Sequence, residues 1–411
     1  MIILNILDRK RVMTTSSFVT IENALVFDGT SAELVEGSIT IVDGMVESVG
    51  RAASRGRTID AAGRVVVPGL IDAHFHAYAI SVEGIRNELV PLSYSALVGA
   101  RRLRSALLRG FTTVRDVAGG DIGLSTAIQQ GLMVSPRYLF TGPALSQTGG
   151  HGDPRSADID VCFSHGHVCE IVDGVDNLRR AVRERFRTGS HAIKIMASGG
   201  VMTLTDPLRV PQYSAEEIRA VADEATRRGS YVAAHAYSPE AIQHAVRSGV
   251  RSVEHGNLLD LETAELMVRS DSYLVPTLAA ADAMERRGSE AGLNPVSQGK
   301  NAELLEEGMK SLALAHTAGV NIGFGSDLMG PLEDEQLSGV RLQVEVLGVL
   351  QALRSMTSVN ADLLQDPTLG RIAPGSVGDA VILDGNPFDD PSVLWDHTRP
   401  RIVISAGVSG L

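Results

Sequence analysis

Cysteine is nearly missing from this chain. Its 411 residues contain two, Cys162 and Cys169. That is too few for a disulfide framework, so a reducing, cytoplasmic setting is expected. Long apolar runs are missing as well: none approaches the roughly 18 residues that suggest a membrane span. The opening MIILNILDRKRVM puts its short apolar piece ahead of its charges, the reverse of a secretory signal. Residues 1–16 are therefore read as a disordered extension, with Met13 as an alternative start. There is no excess of positive charge either. Lys and Arg number 37 against 49 Asp and Glu, a formal net charge of −12. That balance speaks against nucleic acid or an anionic membrane as the main partner and leaves a small molecule as the expected one. No long linker or internal repeat breaks the chain.

What is present is an ordinary globular composition, 44% hydrophobic and 21% charged. Residues 17–68 carry short period-two stretches broken by turns, among them SITIV, and residues 371–411 have the same character in DAVIL and RIVIS. Both ends are expected to build one small β-sandwich domain. The middle, 69–370, alternates apolar runs with amphipathic helical stretches. The runs are VVVPGLIDAHFH, TTVRDV, RYLFTG, AIKIMAS, YVAAHAY, RSVEHG, YLVPTLA and NIGFGSD. Ser214 and Glu217 make a capping-box pattern, and Ser238 before Pro239 reads as an N-cap and first helical residue. Eight strands alternating with helices predict an α/β (β/α)8 barrel, with an open doubly wound sheet as the rival.

Barrel chemistry collects at the C-terminal strand ends. His74 and His76 close the first strand and, being two apart, point to one side. Lys194 lies in the fourth, His235 in the fifth, His255 in the sixth, and Asp327 follows the eighth. Each has a plain alternative. A strand-end histidine is commonly a satisfied polar group, and a strand-end aspartate can cap the next helix. The joint arrangement is what points to a metal site of imidazole and carboxylate donors suited to zinc. Lys194 would repel a cation as an ammonium. As a carbamate formed with CO2 it becomes an anionic oxygen ligand.

AHFH, the strand lysine, the two separated histidines and GSD resemble the amidohydrolase superfamily. ALSQTGGHGDPR, IKIMASGGVMTLTDP, AHAYS, VEHGN and GFGSDLMG are similar to its prolidase-like branch. That branch includes Xaa-Pro dipeptidases, metal-dependent carboxypeptidases, N-acyl amino acid hydrolases and relatives of ochratoxin-degrading amidases. The resemblance implies two divalent metal ions, with His74, His76 and Asp327 on the buried one and His235 and His255 on the exposed one. Carboxylated Lys194 would bridge them. A water between the ions would attack an amide carbonyl, and Asp327 would move its proton to the leaving nitrogen. The expected substrate is a dipeptide or N-acyl amino acid, cut before its C-terminal residue. Homo-oligomers are common in such a branch.

Substrate contacts are expected from His151 and Tyr237, and from Arg209 as a carboxylate partner. SDLMGPLEDEQ departs from the branch, where a methionine-histidine pair often follows SDLLG. Its acids, Glu333, Asp334 and Glu335, either alter substrate choice or begin a solvated helix. Cys162, His165, His167 and Cys169 form a second cluster, read as a surface loop, an oxidisable pair or a tight zinc set. The rival functions are a cyclic-amide hydrolase of the imidazolonepropionase type, a hydrolase of a xenobiotic amide such as ochratoxin, and a barrel retained for binding alone.

Overall fold

The computed structural model describes residues 2–5, 18–50, 56–156, 162–163, 165–203 and 206–405. The barrel follows the expected alternation. Its strands are Leu70–Phe75, Phe111–Asp116, Arg137–Phe140, Ile193–Met196, Val232–Ala236, Ser252–His255, Tyr273–Val275 and Asn321–Ile322. Ala144–Ser146 continues the third strand and pairs parallel with Cys169–Ile171 and with the fourth strand. The first three strands pair parallel with one another, and so do the fourth to the eighth. Two backbone bonds bridge the remaining gaps. His191 N donates to Phe140 O at 2.7 Å, and Ala73 N donates to Phe324 O at 2.9 Å.

The helices are set by the signals that the sequence carried. Helix Ala215–Arg227 opens on a complete capping box between Ser214 and Glu217. Helix Pro239–Arg247 opens on Ser238, whose hydroxyl accepts from Ala241 N. Helix Leu92–Leu108 gives way at Gly110, which takes φ +102° in the return to the second strand.

The chain ends form one mixed sheet. Its order is Ile2–Asn5, Ile402–Ser405, Ala380–Ile382, Val65–Pro68, Phe18–Val26, Val35–Val42, Met45–Gly50, with Arg57–Asp60 also on Phe18–Val26. Phe18–Val26 holds three partners because its register shifts between Ile21 and Ala24, where Asn23 takes φ +52°. Ile21, Ile39, Ile59, Val66, Ile382 and Ile404 share one apolar cluster, so residues from both ends are packed together. The first of the eight apolar runs divides here. VVVP belongs to this sheet, and the barrel begins after Gly69.

One expectation is corrected. Ile2–Asn5, read as part of a disordered extension, is a strand paired parallel with Ile402–Ser405, where the sheet edge offers unpaired backbone groups. Residues 6–16, including Met13, lie outside the described residues. No helix among the described residues is long and apolar enough to cross a membrane.

Candidate active site

One cavity of about 290 Å³ opens at the C-terminal mouth of the barrel, and His74, His76, Lys194, His235, His255 and Asp327 all line it. Four of the six come directly from parallel strands and two follow strand ends, so backbone pairing fixes where their side chains start. His76 Nε2 lies 2.9 Å from Asp327 Oδ1, and His74 Nε2 lies 3.3 Å from the same oxygen. Ligand atoms of His74, His255 and Asp327 fall within 4.8 Å of one another. Ring centroids run 5.0 Å from His74 to His255, 4.5 Å from His255 to His235, and 4.2 Å from His235 to His151.

The backbone is strained where two of these side chains leave it. His255 has φ +76° and Asp327 φ +54°, left-handed values that L-residues with a Cβ rarely take. Glycine supplies the close approaches. A Cβ on Gly325 would collide with His74, and one on Gly200 would sit inside the His151 ring.

Beneath the mouth lies a polar support that the sequence reading missed. Glu254 Oε2 meets His74 Nδ1 at 2.7 Å, and its Oε1 accepts from Arg115 Nη2 at 2.7 Å. Arg115 also donates to Ala73 O at 2.5 Å and to Tyr231 Oη at 3.3 Å. Both Arg115 and Glu254 are fully buried. Asp72 accepts from the backbone N of His74 and of Ser326 and from Gln336 Nε2, tying the first strand to the eighth. His255 Nδ1 meets Thr277 Oγ1 at 2.7 Å. Each of these contacts fixes a ring or a strand end. The signal that could have revealed them is the one that singled out Lys194: a charged residue inside an apolar strand.

Burial sets the electrostatics. It pulls the Lys194 ammonium down to about 8, against the opposing pull of Glu254 and Asp327. Burial also holds His235 and His255 far below the usual imidazole range, so both are neutral, the form that ligates. Burial acts to raise Asp327 and Glu254. The charge and hydrogen bond of His74, with the hydrogen bond of His76, outweigh it for Asp327, and the charges of Arg115 and His74 with the hydrogen bond of His74 outweigh it for Glu254, leaving both carboxyls depressed.

The donor set fits divalent cations, since four imidazoles and a carboxylate face one cavity. The Nδ1 of His76 is buried without a hydrogen-bond partner among the described residues, as expected where a ring's chemistry is not completed by protein alone.

Of the expected substrate contacts, two reach the cavity. His151 lines it, held by Thr203 Oγ1 at 2.9 Å, and Tyr237 packs edge-on against His235 at 4.8 Å. Arg209 does not reach it. Its side chain is 58% exposed and pairs with Glu303 at 2.5 Å, because the loop carrying it turns outward after Pro207. The arginine that lines the cavity is Arg155, gripped by Asp153. Lys300, also unforeseen, donates to the carbonyls of Gly200, Thr203 and Asp206 and so anchors the loop beside His151.

The acids after the eighth strand lie in the 3-10 turn Gly330–Glu335 that leads into helix Gln336–Ser355, and arginines rather than solvent meet them. Glu333 pairs with Arg101, Asp334 with Arg287, and Glu335 with Arg286 and Arg287. None of the three lines the cavity, whereas Leu328, Met329 and Leu332 do. The cysteine–histidine cluster is dispersed: Cys162 is exposed, Cys169 is buried, and both are free thiols. His165 lies 3.6 Å from Glu170.

Residues 65–409 match the amidohydrolase family. Ochratoxinase from Aspergillus niger is 34% identical over 358 residues, which is 81% of this chain and 72% of that protein. A prolidase complexed with N-methylphosphonate-L-proline superposes with a TM-score of 0.92 at 41% identity, over 95% of this chain and 98% of the other. A Xaa-Pro dipeptidase with methionine in its active site gives 0.85 at 29%, over 95% and 99%. The chain therefore belongs to the amidohydrolase family and is a hydrolase acting on amide bonds.

Proposed function

We propose that the protein hydrolyses the amide bond before a C-terminal amino acid, in dipeptides or N-acyl amino acids. The observation that carries this reading is the meeting of His74, His76, Lys194, His235, His255 and Asp327 in one buried cavity. The similarity to a prolidase and a Xaa-Pro dipeptidase over nearly the whole chain supports it.

His74, His76 and Asp327 would hold one divalent cation and His235 and His255 a second, with zinc the best match to the donors. Bound cations supply Lewis acidity, polarising an amide carbonyl and bringing the ionisation of water towards neutral pH. Lys194 would span the two positions as a carbamate. The ammonium first gives up one proton, and the neutral amine then adds to CO2 with loss of a second, giving an anionic pair of oxygens. An ammonium lowered to about 8 leaves roughly a tenth of the group as neutral amine at pH 7, far more than an ordinary lysine would.

Asp327 is the proton carrier. Its carboxylate is depressed and hydrogen-bonded to His76, so it is ionised, can accept a proton from the attacking water in passing, and as a weak base gives that proton up again readily. Passing that proton to the leaving nitrogen lets the amine depart neutral. His151 and Tyr237 orient the substrate at the cavity wall. Tyr237 keeps its proton, because burial raises its phenol well above the usual range, and so it can donate to a carbonyl oxygen.

The similarity to ochratoxinase supports a second reading, a bulky xenobiotic amide. The test is amino-acid release from a mixed library of dipeptides and N-acyl amino acids, using protein reconstituted with zinc and bicarbonate. Release of the C-terminal residue is expected. No release from any member of the library overturns the reading.

A further inference from the structure

The cavity has a second character besides its histidines. Met202, Met284 and Met329 are half-buried around Val82, Leu328 and Leu332, and together they form one apolar wall. Three different segments supply it. Met202 follows the fourth strand, Met284 rides on helix Leu278–Ala291 after the seventh, and Met329 follows the eighth. The same wall takes up the departure noted in SDLMGPLEDEQ: that segment turns its apolar residues into the cavity and its acids onto arginines.

Charge inside the cavity is already committed. Asp327 is held by His76, Asp153 by Arg155, and Glu88 by the backbone N–H groups of His167, Val168 and Cys169. Glu83 lines the mouth but is exposed. The wall's own side chains, Val82, Met202, Met284, Leu328, Met329 and Leu332, carry no charge, so an ammonium pressed against them, inward of Glu83, would lose hydration without a partner. Methionine suits such a surface, because its unbranched thioether chain reshapes around apolar groups of different form.

We propose that this methionine wall selects substrates whose acyl part is bulky, flexible, apolar and uncharged. The preferred class is the N-acyl amino acid with a medium-length alkanoyl or aryl acyl group, ahead of the dipeptide with a free α-ammonium. The proposal rests on the function given above and narrows it.

The test uses metal-reconstituted full-length protein and one leaving amino acid, with acetyl, butanoyl, hexanoyl and octanoyl as acyl groups. Norleucyl serves as the sixth-carbon control, since it differs from hexanoyl only by its α-ammonium. kcat/KM is expected to rise by about threefold per methylene until the wall is filled. Hexanoyl is expected to exceed norleucyl by about tenfold or more. Met284→Ala should flatten the rise. Met329→Lys should turn preference towards acyl groups that end in a carboxylate, with circular dichroism checking that the variant is folded. Calorimetric binding of the free alkanoates of the same lengths reads the wall without turnover.

Affinity that climbs with length in a protein that cleaves nothing upholds the wall and overturns the proposed function. Cleavage that ignores length, or favours norleucyl over hexanoyl, overturns the wall and leaves the function standing.

Discussion

The barrel interior and the flanking sheet solve the same packing problem in opposite ways. The sheet is filled by Val, Ile and Ala, with Ile21, Ile39, Val66, Ile382 and Ile404 in one cluster. The barrel, beneath its mouth, is filled by an ion pair. Arg115 and Glu254 occupy space that apolar layers ordinarily take in this architecture, and they reach His74 through Glu254. An apolar filling would stabilise at least as well. The difference teaches that the interior is arranged to aim a ring, whereas the sheet is arranged only to pack.

That contrast can be broken at several points. The largest effect is expected at Lys194. Lys194→Ala should lower kcat/KM on the order of a thousandfold while far-ultraviolet circular dichroism stays unchanged. A variant within tenfold of the parent would remove the lysine from the chemistry. Next comes the ion pair. Glu254→Ala should weaken metal binding by about 10- to 100-fold and destabilise by about 3–5 kcal/mol, because it strands Arg115. Replacing Arg115 and Glu254 together by methionine should recover stability and leave metal binding impaired. Denaturant titration and metal titration read the two quantities separately, and recovery of both would make the pair mere filling.

The third point is pH. Carbamate formation needs the neutral amine of Lys194, whose ammonium ionises at about 8. The neutral fraction grows about tenfold per pH unit below that value and levels off above it. At constant dissolved CO2, metal reconstitution should quicken in the same way from pH 6 to 8. A rate that is flat across this window would remove the neutral amine from assembly, and a rise that continues undiminished well past about pH 9 would contradict the lowered value.

In the sheet, Ile382→Ala should cost about 2–5 kcal/mol of stability and leave kcat/KM unchanged well below the melting temperature. The smallest effect belongs to Glu335. Arg286, ahead of the opposing effect of burial, lowers its carboxyl to about 2. The folded value lies below the unfolded one, so the stabilisation is present above about pH 4 and fades as pH falls towards 2. Glu335→Gln should cost about 1 kcal/mol or less near neutrality, and the gap to the parent should close in acid.

Much of this was legible in the sequence, for identifiable reasons. The eight strands showed because parallel barrel strands are short apolar runs separated by capped helices, as Ser214 and Ser238 mark. His74, His76, His235, His255 and Asp327 showed because they stand at the ends of those runs. Arg115 and Glu254 carried only the sign of a charge inside an apolar strand; that they pair was hidden, because they lie 139 residues apart in the chain and only closure of the barrel brings them together. Arg209 misled for the complementary reason. It lies near the right loop in sequence, but the turn after Pro207 sends it to Glu303. Arg155 and Lys300 act through contacts with Asp153 and with loop carbonyls, which no spacing rule encodes.

The passage from sheet to barrel takes a single residue. Gly69 separates Val65–Pro68 from Leu70–Phe75, and a Cβ there would run into Thr112. The strand that presents His74 and His76 is thus anchored from behind by Val66 and Val67, which pair with Ile382 and Val381. Lengthening this joint by one residue would turn both imidazoles to the opposite side of their strand, leaving the chain still able to build each half but unable to deliver its first two ligands.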